Sequence, residues 1–366
     1  MDGDGNGQAA CDRGAVEVLP PTPTPLSFTV DAGGAEADAS PGDALCRTAT
    51  GTCTFTAAVT EANIANGRDT ITLPVGGVVA APGLILSDVV VRGRDATITG
   101  TVEIAPVEAA IDHVKMVHPY PATILRSWST AATLDHVTIT TAGTGLDNRG
   151  TLSFTNGRVV SVNQGITAPI TNVGTLSIAD STVDYSGGRT GDVSSSGDLT
   201  IRRSTLRNAT IVSGGRVLVE SSTSAAPGAL YVYGGSAELR HSTFVGGIAF
   251  TIQVVVGSSG PPTVVLRNTI VGQPVGKPAC IGAVSSDGYN LGQDSSCHLT
   301  ATGDVQGVGA ALGLGALADN GGPTLTYLPA AGSPAVDGGD PACPALDQRG
   351  TPRPRGASCD RGAVER

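Results

Sequence analysis

Aromatic residues are scarce in this 366-residue sequence, at 3%, with Trp128 the single tryptophan. A core of large rings is thereby excluded, and smaller side chains must fill the interior. Charged residues are also few, at 15%, and with 40% hydrophobic residues beside them the composition excludes a disordered chain. Positive charge is in deficit: 22 Lys and Arg stand against 32 Asp and Glu, for a net −10, which repels a phosphate backbone and speaks against a nucleic-acid partner. The two arginine clusters, Arg202, Arg203 and Arg207, and Arg349, Arg353 and Arg355, lack the interleaved aromatics on which bases stack, so both read as solvated surface. No run of 18 apolar residues exists, so no membrane span is expected. Met1 is followed by DGDGNGQAA where a signal peptide would carry a basic and then an apolar stretch.

The seven cysteines form no CxxC, which removes the main signature of zinc ribbons and thioredoxin-type sites. Proximity pairs Cys46 with Cys53, Cys280 with Cys297 and Cys343 with Cys359, leaving Cys11 alone and implying an oxidising, extracytoplasmic destination. The segment CDRGAVE occurs twice, at Cys11–Glu17 and Cys359–Glu365. If the second copy closes a domain, the first closes an earlier one, so the chain reads as one unit of a tandem array with residues 1–17 the remnant of its upstream neighbour. Residues 18–43, with Pro20, Pro21, Pro23 and Pro25, read as a stiff linker. Asp2, Asp4 and Asn6 with Gly7 resemble the first half of a calcium loop, but Arg13 stands where the twelfth-position Glu belongs; a polar turn is the better reading and a weak calcium site the alternative.

From about Ile71 to Asn290, short Thr-, Ser-, Val- and Ile-rich segments alternate with glycine, which predicts strands. A recurring unit has an apolar residue followed five positions later by another: Ile111/Met116, Leu134/Ile139, Phe154/Val159, Ile178/Val183, Ile201/Leu206, Leu239/Phe244 and Leu266/Val271, with VESSTS from Val219 a degenerate member. The units start 18 to 27 residues apart. A period near 22 with no helix in it points to a parallel solenoid, one rung per repeat. Leucine-rich repeats need a consensus that is absent, and a β-sandwich needs closer hairpins. The rungs are assigned to residues 69–297. An uncovered solenoid end is an exposed sheet edge, and CTFTAAVTEANIANG predicts a capping helix within 44–68: Thr54 or Thr56 caps it, Phe55, Ala58, Val59, Ala62 and Ile64 form its apolar face, and Gly67 ends it.

DALCRTATGTCTFTAAVTEANIANGRDTITLP at the start, and LADNGGPT, GSPAVD, DQRG and CDRGAVE in order near the end, resemble the choice-of-anchor Q domain proteins of bacterial surfaces. The resemblance spans nearly everything after Gly42, with residues 298–366 as its C-terminal segment. It implies an all-β, right-handed parallel β-helix, exported and displayed at or released from a bacterial surface, and no catalytic residues. Members usually continue beyond the final Glu into an anchoring segment, whereas this sequence stops at Arg366.

Parallel β-helices also include polysaccharide lyases and hydrolases, so chemistry needs a separate search. The NTD, DD, GHG and RIK motifs of polygalacturonase-like hydrolases are absent. IDHV at Ile111–Val114 partly echoes the WIDH of pectate lyases, but LDHV repeats it one rung later at Leu134–Val137. The second residue after each rung's leading apolar position is His113, His136, Asn156, Asp180, Arg203, Ser221, His241 or Asn268, a polar column that suits a turn. On adjacent rungs Asp112 would stack on Asp135 and His113 on His136 at ~4.8 Å. Such a corner has the parts of a metal site or of the acid and nucleophile of a retaining glycosidase, whose carboxyl groups lie ~5 Å apart. Tyr120 and Trp128 are candidates for a sugar-stacking surface; the competing reading puts Trp128 on an inserted loop, HPYPATILRSWSTA. His298 beside Cys297 reads as incidental to a disulfide, and no cofactor is implied. The leading expectation is a monomeric, non-catalytic extracellular module, adhesive or a rigid spacer, meeting an extracellular polysaccharide or host surface. The alternative is a polysaccharide lyase or glycoside hydrolase.

Overall fold

The computed structural model describes residues 24–366 except 66, 119, 163–167, 186–190, 258–259 and 273–275. Short parallel strands wind into a solenoid of about ten turns. The strands alternate inward buried and outward residues, as in Thr151–Thr155, Thr175–Ala179 and Arg216–Glu220. Half-apolar strands this short bury their inner side only by stacking coil upon coil.

Each coil supplies three faces. Ala131–Asp135, Thr151–Thr155, Thr175–Ala179 and Asp198–Arg202 stack in parallel on the first. Thr138–Thr141, Arg158–Ser161, Thr182–Tyr185 and Thr205–Arg207 do so on the second. Leu125–Ser127, Leu146–Asn148, Ile170–Asn172 and Gly191–Ser195 form the third. The apolar pairs five residues apart become two inward columns. One runs Ile111, Leu134, Phe154, Ile178, Ile201, Val219, Leu239, Leu266. The other runs Met116, Ile139, Val159, Val183, Leu206, Ser224, Phe244, Val271. All are at most 1% exposed, including Ser224 of the degenerate repeat, so the spacing in the sequence is the register of the coils.

Between these columns the chain turns from first face to second through a single residue with φ of 45–52°: His113, His136, Asn156, Asp180, Arg203, Ser221, His241 or Asn268. This left-handed conformation favours Asn, Asp and His among non-glycine residues. The polar column of the sequence is therefore a column of corners. Behind it, the backbone N–H groups of Ser181, Ser204 and Ser222 each donate to the hydroxyl one coil on, Ser204 (3.1 Å), Ser222 (3.1 Å) and Ser242 (3.2 Å), so the turn leaves these buried donors satisfied.

A helix, α1 (Phe55–Ile64), covers the N-terminal end, with the Thr54 hydroxyl accepting from the Ala57 N–H. Phe55, Ala58, Val59 and Ala62 are buried in the solenoid core, whereas Ile64, expected on the apolar face, is 53% exposed, and the helix stops at Ala65 before Gly67 is reached. The Cys46–Cys53 disulfide closes the loop leading into it. Part of the expected linker belongs to the solenoid: Ser27–Thr29 pairs in parallel with Asp69–Thr72, because Phe28 and Val30 alternate inward and outweigh the proline-rich context.

The other two disulfides, Cys280–Cys297 and Cys343–Cys359, lie at the C-terminal end. The last parallel pairing joins Leu291–Gly292 to Val305–Gln306. Beyond it an antiparallel hairpin, Leu314–Ala318 with Thr326–Pro329, begins a segment that folds back along the second face. Thr205 donates to the Leu325 carbonyl, Thr223 to Gln348 Oε1, and Ala363 N–H to the Thr243 hydroxyl. The second CDRGAVE is the plug of this segment. Arg361 donates to the carbonyls of Tyr289 and Gly303, and Gly362, at φ +87°, lies so close that a Cβ would stand 2.6 Å from Ile270. The first copy at Cys11–Glu17, and with it Cys11, Asp2, Asp4 and Asn6, lies outside the described residues.

Candidate functional site

The C-terminal segment covers only part of the corner column. Thr324 donates to the Arg203 carbonyl, Pro344 and Leu346 line a small pocket together with the buried Ser221, and the Asn268 amide donates to the Asp360 carbonyl. His113, His136, Asn156 and Asp180 are left uncovered, and they line a groove of about 660 Å³. Its floor is the outward side of the second face, Thr138, Arg158, Thr182, Asp184 and Arg207. Its end wall is the hairpin tip, Asp319 and Gly322–Leu325, from the LADNGGPT segment. Thr138, Arg158, Thr182 and Thr205 are register partners, so the groove continues the column on which the C-terminal segment docks through Thr205.

The expected stacking of the two rungs is present. Asp112 is the register partner of Asp135, and the imidazoles of His113 and His136 lie 4.5 Å apart and 6° from parallel. His136 Nδ1 is 2.9 Å from Asp135 Oδ2, while His113 Nδ1 is 3.6 Å from Asp112 Oδ1. Burial acts to raise the Asp135 pKa, but the hydrogen bonds from Asn156, His136 and Thr155 prevail and hold it below the ordinary carboxylate value. Asp135 therefore stays ionised and suits orienting His136, not the proton-donating role of a glycosidase acid. The floor is an ion network: Arg158 (3.0 Å) and Arg207 both reach Asp184, whose side chain is 1% exposed. The hydrogen bond to Asp184 raises the Arg207 pKa further, so its guanidinium stays charged at any ordinary pH.

No family model, no curated protein and no solved structure matches the chain. The site therefore has to be read from its own geometry.

That geometry separates the proposed sugar-stacking aromatics from the corner. Trp128 follows the third-face strand Leu125–Ser127, so it sits on a rung turn and not on an inserted loop. The strand Ala131–Asp135 separates it from His136 by roughly 16 Å of chain. The guanidinium groups of Arg126 and Arg149 lie 5.7 and 6.0 Å from its ring, held in turn by Asp147. Tyr120 is 71% exposed beyond the second face, beside His118, and neither aromatic lines the groove. The groove residues that sequence reasoning left out of the site include Asp95, Asn156, Arg158, Asp180, Asp184, Arg207 and Asp319. For Asn156 and Asp180 the signal was the corner column itself, whereas Arg158, Asp184 and Arg207 stand on the second-face strands beside it, and the hairpin tip that turns an open face into a groove has no local signal.

Among the described residues one acidic group, Asp38, Asp43 and Glu61, has the spacing of a metal site. Its oxygens are engaged by backbone N–H groups, Ser40 and Arg47 on Asp38 and Gly42 and Ala44 on Glu61, so it organises the loop before α1.

His241 shows what a covered corner residue costs. Its ring, 4% exposed, accepts a hydrogen bond at Nδ1 from the Asn268 amide, whose nitrogen also reaches the Asp360 carbonyl. Burial, and secondarily the charge of Arg353, push its pKa down to about 4. Since the unfolded chain protonates His241 near its ordinary value, the folded state binds fewer protons between the two. Stability is therefore intact above about pH 6.5 and lost as pH falls towards 4, by up to about 3 kcal/mol. Urea unfolding at about pH 7 and about pH 4.5 should show this loss, and His241→Gln should reduce it; an unchanged pH dependence in the variant would refute the assignment.

Proposed function

We propose that the protein is a non-catalytic extracellular surface module, of the choice-of-anchor Q kind its sequence resembles, in which a rigid disulfide-closed β-helix presents the lateral groove to an extracellular glycan. The observation that carries this reading is the groove: a polar trough of about 660 Å³, floored by regularly spaced side chains of successive coils and closed at one end by the hairpin tip. Coil stacking repeats groups at ~4.8 Å along the axis, which suits a polymer with its own short repeat. Three disulfides support an oxidising destination. The test is incubation of the protein with neutral, basic and acidic polysaccharides, recording both retention of the protein and release of reducing or unsaturated ends. Retention without release is expected, and release of ends would overturn the non-catalytic reading.

The second reading, a glycan-cleaving enzyme, is favoured by one observation: the 2.9 Å Asp135–His136 pair beside the groove, with the opposite ring nitrogen of His136 available as a base. In that case Asp135→Asn should lower the release of ends by about 100-fold or more. Release that is unchanged in the variant would remove this pair from any catalytic role.

A further inference from the structure

The hydrogen-bond polarity of the groove points to its ligand. A carboxylate only accepts, so the neutral imidazole of His136, whose Nδ1 lies 2.9 Å from Asp135 Oδ2, places its proton on Nδ1 and keeps Nε2 as an acceptor. The Asn156 amide nitrogen donates to Asp135 Oδ1 at 2.8 Å, which leaves the amide oxygen as its free acceptor. Arg158 and Arg207 converge on Asp184, and Arg203 is held by Asp180. These three guanidinium groups are thus engaged by carboxylates, although the Arg158 and Arg207 side chains stay 52% and 41% exposed, whereas Asp95 at one end and Asp319 at the other line the groove without an ion-pair partner among the described residues. Four lining carboxylates, Asp95, Asp180, Asp184 and Asp319, face two lining guanidinium groups, and with Arg203 on Asp180 the balance is four against three.

We propose that the groove selects a glycan bearing free primary amines, a deacetylated hexosamine oligomer, over neutral or uronic acid glycans. An ammonium group offers three donors and no acceptor, and so complements an acceptor-rich, net negative trough, while a uronate would add like charge. The inference rests on the glycan-binding reading above.

The test is calorimetric titration of the full chain with a glucosamine oligomer, its N-acetylated counterpart of the same length and a galacturonate oligomer. Acetylation keeps ring and linkage but removes the charge. The amine oligomer should bind at least about tenfold tighter than the acetylated one, with an affinity that falls as salt is raised. Asp95→Asn combined with Asp319→Asn should bring the two affinities together. Asn retains an acceptor and tolerates the φ of 65° at position 95, so an unchanged melting temperature would show that the fold is kept. Equal or tighter binding of the acetylated or galacturonate oligomer, or an amine preference that survives the double variant, would overturn the inference and leave the glycan reading in place. Binding of none of the three would overturn both.

Discussion

Gly197→Val should destabilise the protein by about 3 kcal/mol or more, whereas Gly34→Val should cost less than about 0.5 kcal/mol. The difference lies in what a side chain would meet. Gly150, Gly174, Gly197, Gly215 and Gly235 stand at the turn from third face to first in successive coils. A Cβ built on Gly197 would lie 2.1 Å from the Gly174 carbonyl oxygen, one on Gly215 2.3 Å from that of Gly197, and one on Gly235 2.0 Å from that of Gly215. These neighbours are backbone, so they cannot rotate aside. Either the coils part at this corner or the strand ladders on both sides shift. Next to this ladder the Asn148 amide donates to Asn172 Oδ1 at 2.7 Å and the Asn172 amide to the Ser195 hydroxyl at 3.0 Å, and parting the coils would strand these buried groups as well. Gly34 meets nothing within 4 Å. Urea unfolding of both variants tests the argument, and equal costs would show that the corner accommodates a side chain.

The same glycines explain how much of the fold was legible. Inward apolar residues five apart are a local signal, and they mark the eight coils from Ile111 onward because the corner in each turns on one residue, whereas the coil before them turns through Arg94 and Asp95 and sets Val91 and Ile98 seven apart. Even Val219 and Ser224, where the second apolar residue is missing, fall into register. The corner column was legible for the same reason, as polar residues that tolerate a left-handed turn. Cysteine pairing was legible because each partner lies at most 17 residues away. Ser27–Thr29 was not, since a three-residue strand beside prolines has too few positions to show an alternation. The groove was half legible. His113, His136 and their aspartates come from adjacent coils and follow from the period, but Thr205 meets Leu325 across 120 residues, and no spacing announces such a contact. Trp128 was misplaced because HPYPATILRSWSTA carries a strand of only three residues, Leu125–Ser127, among proline and polar neighbours.

Arg353→Met should weaken the docked C-terminal segment by about 3–5 kcal/mol while leaving the solenoid folded. The Arg353 side chain is fully buried; it donates to the carbonyls of Asp360 (3.0 Å) and Gly362 (2.7 Å) and stands 3.7 Å from Glu365 Oε2. Methionine fills similar space but leaves two carbonyls without donors and the buried Glu365 without its cation. Lysine would not rescue the site, because a single ammonium cannot reproduce a fork that spans two carbonyls. The loss should be confined, because the apolar contacts beneath the segment, Ile270, Leu291, Leu312 and Ala335, form a cluster separate from the continuous core of the coils. Amide exchange should therefore accelerate across residues 309–366 and stay slow in the strands of Thr151–Thr155 and Thr175–Ala179. His241 supplies a second readout. Burial under the segment is the main force holding its pKa down and the charge of Arg353 the second, so its titration should move up towards 6.5 in the variant. Because the hairpin tip closes the groove, a loosened segment should also weaken glycan retention without any change to His113, His136 or Asn156. Exchange that accelerates equally in segment and strands would instead mean that the C-terminal segment and the solenoid unfold as one cooperative unit.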